Sequence, residues 1–245
     1  MKPRIAIPEP TSENSEYNQR SLRQYVNAIE SEGGAAVVIP AHATPHEIAK
    51  LVTNCEGVLL PGSPADVDPQ KFGAERHPKT APADPGRDNV DELLLQDAHN
   101  LHKPVLGICY GLQSLNVWRT GTLRQHIEGT NINHEAGRTV KFAHDVEVAP
   151  ASMLAKLLGL TRVRVNSSHH QSVEQPGDGL RVVAKCPEDG IVEALEGTAP
   201  EHFVLAVQWH PERTYESDEP SKAIFREFIH AAREWKPREV SESVG

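Results

Sequence analysis

The chain has little cysteine and lacks long apolar or basic runs, and each shortage excludes a class of protein. Its 245 residues include three widely separated cysteines and no Cys-x-x-Cys pair, so zinc and disulfide frameworks are poorly supported. No stretch is apolar over a bilayer's width, and the N-terminus lacks a secretory apolar region. A formal net charge of −9 without lysine or arginine clusters argues against nucleic-acid binding. We therefore expect a cytoplasmic protein with free thiols and neither a membrane nor a nucleic-acid partner.

The first half of the chain alternates short apolar segments with amphipathic ones. Strands are predicted over Arg4–Pro8, Ala35–Pro40, Gly57–Leu60 and Pro104–Cys109, and helices over Ser15–Glu32, Pro45–Asn54 and Asp88–His102. This rhythm favours a mostly parallel sheet with helices on both faces. Ligands of such sheets bind at the carboxyl ends of the strands.

The second half of the chain reads as shorter strands separated by turn residues. Strands are predicted over Thr139–Val148, Arg162–Val165, Leu180–Lys185, Ile191–Leu195 and Val204–Trp209, and a closing helix over Pro220–Trp235. We interpret this part as a small antiparallel section attached to the parallel core. The expected architecture is a single α/β domain over residues 1–245, with a polar tail at residues 236–245.

The segment that follows the strand ending at Cys109 carries the most information about function. Gly107-x-Cys109-x-Gly111 stands between an apolar strand and a helix, the pattern of a nucleophile elbow with cysteine in the serine position. Small neighbours allow the strained backbone of an elbow, and the helix N-terminus favours a thiolate. The alternative is a buried cysteine between two loop glycines.

A cysteine nucleophile needs a base and a group that orients the base. Among 13 histidines, His210 is the best candidate because an apolar strand ends at it. Pro211 favours an extended backbone at His210, and an extended segment turns Glu212 to the same side. The alternative is a strand-end histidine beside a solvated glutamate. The pattern therefore predicts a catalytic triad of Cys109, His210 and Glu212.

Acyl transfer also needs donors for the developing oxyanion. Elbow geometry assigns one to the backbone N–H of Tyr110. The loop after another apolar strand, with Gly62 and Ser63, is the expected second source, and an ordinary Pro-Gly turn is the alternative. This chemistry requires no cofactor. The adjacent pair His169 and His170 would point to opposite sides of a strand, so no metal site is expected.

The order nucleophile, histidine, acid differs from that of α/β-hydrolases and resembles the class I glutamine amidotransferase family. Three further segments resemble its Peptidase C26 branch, the gamma-glutamyl-gamma-aminobutyrate hydrolases: residues 59–73, 87–92 and 165–173. The resemblance spans nearly the whole chain and implies a flavodoxin-like α/β fold. It also implies hydrolysis of a γ-glutamyl amide through a glutamyl thioester, releasing glutamate and an amine.

The resemblance implies substrate-binding roles for Gln113, His169 and Arg87. For His169 a structural role is the alternative, and Asp88, beside Arg87, is expected to cap a helix. The chain departs from the branch at Tyr110, where arginine is common, and at Arg119 and Thr120, where small residues are usual. These departures concern the pocket and its packing rather than the triad.

Three functions remain open at this stage. The first is a stand-alone hydrolase of a small γ-glutamyl substrate. The second is a glutaminase subunit that supplies ammonia to a synthetase partner, and the third is a non-catalytic binding protein on the same fold. The sequence does not identify the leaving amine. A homodimer is expected for such a fold, although no residue pattern specifies it.

Overall fold

The computed structural model describes residues 1–237, so the predicted polar tail lies outside the described residues from residue 238 onward. The strands are β1 (Arg4–Pro8), β2 (Ala35–Ile39), β3 (Gly57–Leu60), β4 (Val105–Ile108), β5 (Thr122–Arg124), β6 (His144–Val148), β7 (Arg162–Val165), β8 (Ser172–Gln175), β9 (Leu180–Lys185), β10 (Val192–Gly197) and β11 (Val204–Val207). The helices are α1 (Ser15–Ser31), α2 (Pro45–Val52), α3 (Pro85–Leu101), α4 (Tyr110–Trp118), α5 (Met153–Leu158), α6 (Pro211–Thr214) and α7 (Glu219–Glu234).

Nine strands form one sheet in the order β2-β1-β3-β4-β11-β10-β9-β6-β7. The strands from β2 to β11 pair in parallel, and those from β11 to β7 pair antiparallel. The two halves predicted from the sequence therefore share one sheet, and the prediction of a single α/β fold is confirmed. Among the described residues, no helix is long and apolar enough to cross a membrane.

Strands β1, β3, β4 and β11 are buried on both faces, which explains their apolar sequences. Ile5 and Ile7 pack on one face with residues of α1 and α7. Ala6 packs on the other face with residues of α2, α3 and α4. Because β3, β4 and β11 are parallel neighbours, their carboxyl ends meet at one edge of the sheet.

The structure corrects several predicted boundaries. Helix α3 begins at Pro85, and its N-cap is Asp84, whose carboxylate accepts the Arg87 N–H at 3.0 Å. Asp88, the predicted cap, instead lies in the first turn of the helix. Residues 139–143 are not strand, because β6 begins at His144. Strands β5 and β8, which pair in a separate ribbon, and helix α5 were not predicted.

Candidate active site

Cys109 occupies a strained turn between β4 and α4. Its backbone has φ 54° and ψ −105°, a conformation that costs energy for any residue with a β-carbon. Gly111 permits the turn, because the Leu60 carbonyl oxygen fills the space that a β-carbon would need. At Gly107, the Gly111 carbonyl oxygen lies 2.9 Å from the corresponding position. The predicted elbow is therefore present, with both glycines required by close backbone packing.

His210 follows the end of β11, the parallel neighbour of β4. Its Nδ1 lies 2.8 Å from Glu212 Oε1, and both side chains are at least 96% buried. Since a carboxylate only accepts, Nδ1 donates, and the lone pair of a neutral ring lies on Nε2. A β-carbon at Gly62 would lie 3.0 Å from His210 Cε1 and 3.7 Å from Cys109 Cβ. Gly62, Cys109 and His210 thus meet at one point.

A second contact fixes the main chain of His210. The Asn166 side chain donates to the His210 carbonyl oxygen at 2.8 Å and accepts from the His210 N–H at 2.9 Å. Asn166 belongs to the segment that resembles the C26 branch, where it was considered as a hydrogen-bond partner of the adjacent histidines, and its contact with His210 was not predicted. Its role depends on a partner 44 residues away. The result is a histidine held at the ring by Glu212 and at the backbone by Asn166.

Burial sets the protonation of the site. It raises the pKa of Cys109 to about 12, against a lowering effect of Arg213. Burial also lowers the pKa of His210, although Glu212 acts in the opposite direction. The helix N-terminus was expected to favour a thiolate, but loss of water around the sulfur shifts the Cys109 pKa in the opposite direction. The resting pair is a neutral thiol and a neutral imidazole.

The loop with the expected second oxyanion donor is already hydrogen-bonded. The Gly62 N–H donates to the hydroxyl of Tyr25 at 3.1 Å, and Tyr25 is 2% exposed on α1. The sequence did not single out Tyr25, because a tyrosine on an amphipathic helix reads as core. Ser63 Oγ accepts from the Ala65 N–H at 3.1 Å and so stabilises the turn.

The Arg87 side chain holds the loop that contains Pro61 and Gly62. Its fully buried guanidinium donates to Asp91 Oδ1 at 2.7 Å, to the Pro61 carbonyl at 2.7 Å and to the Pro10 carbonyl at 3.1 Å. These contacts make Arg87 a positioning residue, which corrects the expectation that it binds substrate.

The Tyr110 side chain is also buried, with 1% exposure. Its ring lies 4.8 Å from the Arg87 guanidinium. Its hydroxyl donates to the carboxylate of Asp88, which also pairs with Lys71 at 3.0 Å. The backbone N–H of Tyr110 begins α4, where helix geometry leaves such donors without intrahelical partners. The side chain is therefore structural, and the proposed catalytic contribution of Tyr110 rests on its backbone.

The two other predicted substrate ligands are also buried. Gln113 Nε2 lies 3.3 Å from the Gln171 carbonyl and 3.3 Å from Gln208 Oε1. The ring of His169 packs against that of His134, with 4.9 Å between centroids. Its contact with substrate stays a prediction, as does that of Gln113.

The neighbouring His170 has a different environment from His169. It faces Asp66, with its Nε2 3.1 Å from a carboxylate oxygen. The adjacent histidines thus have separate partners, as expected for an extended segment.

The model of the Peptidase C26 family matches residues 5–212. The chain belongs to the Peptidase C26 family. The Mycobacterium tuberculosis protein Rv2859c, named as a candidate glutamine amidotransferase, is 37% identical over 218 residues, which cover 88% of this chain and 68% of that protein. The Escherichia coli gamma-glutamyl-gamma-aminobutyrate hydrolase PuuD is 33% identical over 225 residues, covering 88% and 87%.

A solved structure agrees with this family in fold. The glutaminase domain of Trypanosoma brucei CTPS, solved with bound acivicin, superposes with a TM-score of 0.64 at 18% identity. The match covers 97% of this chain and 96% of that domain. At 18% identity, this similarity shows that the two proteins share a fold, and it says nothing about a shared activity.

Proposed function

We propose that this C26 protein is a cysteine-nucleophile hydrolase that cleaves a γ-glutamyl amide through a glutamyl thioester. The observation that carries the proposal is the meeting of the strained Cys109 with the His210–Glu212 pair beside Gly62. An elbow cysteine beside an oriented histidine is the arrangement that acyl transfer needs. The similarity to PuuD supports a γ-glutamyl substrate.

The protonation of the site suggests how the first step proceeds. His210 Nε2 accepts the Cys109 proton as the sulfur attacks the γ-carbonyl carbon, because the thiol is neutral at rest. Glu212 stabilises the resulting imidazolium, since its own pKa is lowered by His210 despite burial. The imidazolium then gives its proton to the leaving amine as the C–N bond breaks. The products of this step are the free amine and the γ-glutamyl thioester.

Water completes the reaction. His210 takes a proton from the attacking water, the C–S bond breaks, and the proton returns to the Cys109 sulfur as glutamate leaves. In both tetrahedral intermediates the Tyr110 N–H is the proposed oxyanion donor. The Gly62 N–H can join it only by exchanging the Tyr25 hydroxyl for the substrate oxygen. A cytoplasmic location, which keeps the thiol reduced, belongs to the same proposal.

The test is release of amine and glutamate from a panel that includes glutamine and γ-glutamyl-γ-aminobutyrate. The wild-type protein is compared with Cys109→Ala and with Cys186→Ala, a matched control because both cysteines are buried and free. We expect release that disappears in Cys109→Ala and persists in Cys186→Ala. Equal activity in the two variants would refute the nucleophile. Silence of the folded wild-type protein across the panel would refute the stand-alone hydrolase.

A further inference from the structure

Four side chains that take no part in the bond-making and bond-breaking steps proposed above meet in the antiparallel half of the molecule. They are His134 from the loop before β6, His144 at the start of β6, His169 from the loop before β8, and Glu193 on β10. Their side chains are 98% to 100% buried, and one ligand atom from each lies within 4.8 Å of the others. Such a concentration of titratable groups needs a compensating interaction.

None of the contacts between Glu193 and the three histidines has the geometry of a hydrogen bond. Glu193 Oε1 lies 3.4 Å from His134 Nδ1, 3.6 Å from His144 Nε2 and 3.6 Å from His169 Nε2. Neither carboxylate oxygen of Glu193 accepts a hydrogen bond from a described residue. A tetrahedral ion with bonds of about 2.1 Å separates its ligand atoms by roughly 3.4 Å, close to the three distances measured from Glu193 Oε1.

The other nitrogen of each ring fixes how the histidines face Glu193. His134 Nε2 lies 2.9 Å from a carboxylate oxygen of Asp189. His144 Nδ1 lies 3.1 Å from the Asp145 carbonyl, and His169 Nδ1 lies 2.9 Å from the Gln171 carbonyl.

All three partners are acceptors, so each of these nitrogens carries a hydrogen. In a neutral ring, the nitrogen that faces Glu193 then carries a lone pair. Three nitrogen lone pairs would then face the negatively charged carboxylate and be repelled by it. A cation bound between them would be coordinated by all four groups and would remove this repulsion.

We propose that His134, His144, His169 and Glu193 bind one Zn²⁺ ion. Three imidazoles and one carboxylate suit zinc, whereas magnesium and calcium prefer oxygen ligands throughout. The carboxylates of Glu193 and Asp189 together balance the charge of a divalent ion. Asp189 and the two carbonyls are the partners that orient metal-bound histidines. Four buried protein ligands leave no open position, so the ion is structural and takes no part in the chemistry.

The site lies on the same segment that holds the candidate catalytic histidine. The His169 N–H and the Ser167 hydroxyl both donate to the His134 carbonyl, each at 2.9 Å. Asn166, the residue before Ser167, hydrogen-bonds both the N–H and the carbonyl of His210. An ion that fixes His134 and His169 therefore fixes the loop that positions His210.

The test uses the full-length protein, stripped with a chelator and reloaded with Zn²⁺ or Co²⁺. We expect one equivalent of zinc to remain after dialysis and to raise the melting temperature. Co²⁺ should give the intense visible bands of a tetrahedral site. Glu193→Gln, which keeps the shape but not the charge, should lower affinity at least tenfold. His230→Ala on the exposed face of α7 should change neither binding nor melting temperature.

Each outcome decides the proposal. If the reloaded wild-type protein holds less than about 0.2 equivalents of zinc, the zinc site is overturned. The alternative is then that protonated histidines compensate the charge of Glu193. Equal zinc binding by Glu193→Gln and wild type would place the ion elsewhere. If a variant does not fold, the Co²⁺ spectrum of the wild type still decides, because octahedral or absent bands contradict the four-ligand site. These readouts are independent of the proposed hydrolase activity.

Discussion

Replacement of Asn166 by alanine tests the anchoring of the candidate catalytic histidine. The change removes two hydrogen bonds, at 2.8 and 2.9 Å, to the main chain of His210. Each such bond contributes about 1 kcal/mol net, and a buried donor or acceptor left alone costs about 1–3 kcal/mol. The 3% exposure of both residues gives water little access to the freed groups. We therefore expect a loss of about 3 kcal/mol in the free energy of unfolding.

The measurement is urea unfolding followed by circular dichroism, with the shift in midpoint converted through a common slope. Asn133→Ala is the matched control, because Asn133 accepts one bond, from the exposed Glu135 N–H, and should cost less than about 0.5 kcal/mol. Asn166→Asp keeps the acceptor but loses the donor, and it places a charge at a buried position. We therefore expect this variant to lower the free energy of unfolding as well. A loss below about 1 kcal/mol in Asn166→Ala would refute the reasoning, because the loop would then satisfy His210 without Asn166.

Three other predictions follow from contacts at the elbow, the triad and the long loop. Gly111→Ala should lower stability by about 3 kcal/mol or more, because the β-carbon would overlap the Leu60 carbonyl; an unchanged melting temperature would contradict this. Glu212→Gln should reduce kcat/KM about 10³-fold or more on any substrate found, and an equal rate would remove Glu212 from the triad. Asp66 raises the pKa of His170, so their pairing stabilises fully below the ordinary histidine pKa and is lost as pH rises through the raised value. The melting-temperature difference between wild type and His170→Gln should therefore be larger at about pH 6 than at about pH 9.

The sequence was sufficient to predict the parallel half because its inner strands are buried on both faces. Val105–Ile108 and Val204–Val207 are continuous apolar runs, and their ends deliver Cys109 and His210. The start of α3 was missed because Pro85 reads equally well as a loop residue or as the first residue of a helix. Strand β5 has three residues, which are too few to show the alternation of apolar and polar side chains typical of a strand.

The rest of the site depends on contacts between distant segments. Tyr25 reaches Gly62 across 37 residues, and Asn166 reaches His210 across 44. The histidine cluster was missed for the same reason, since its ligands span residues 134–193. In the sequence only His169 and His170 were considered as a pair, and in the structure their rings face different partners. The resting protonation of Cys109 was also beyond the sequence, because it depends on burial that only the packed structure defines.

The position of β11 has a consequence for how the molecule folds. Of the strands in residues 1–237, β11 is the last in chain order, yet it lies between β4 and β10 and joins the parallel half of the sheet to the antiparallel half. During synthesis, the edge of β4 therefore stays without its neighbour until more than 90 further residues have been made. The thiol of Cys109 emerges early, but the proposed base, His210, arrives only with the strand that joins the two halves of the sheet. During synthesis, the proposed nucleophile and its proposed base can therefore come together only late.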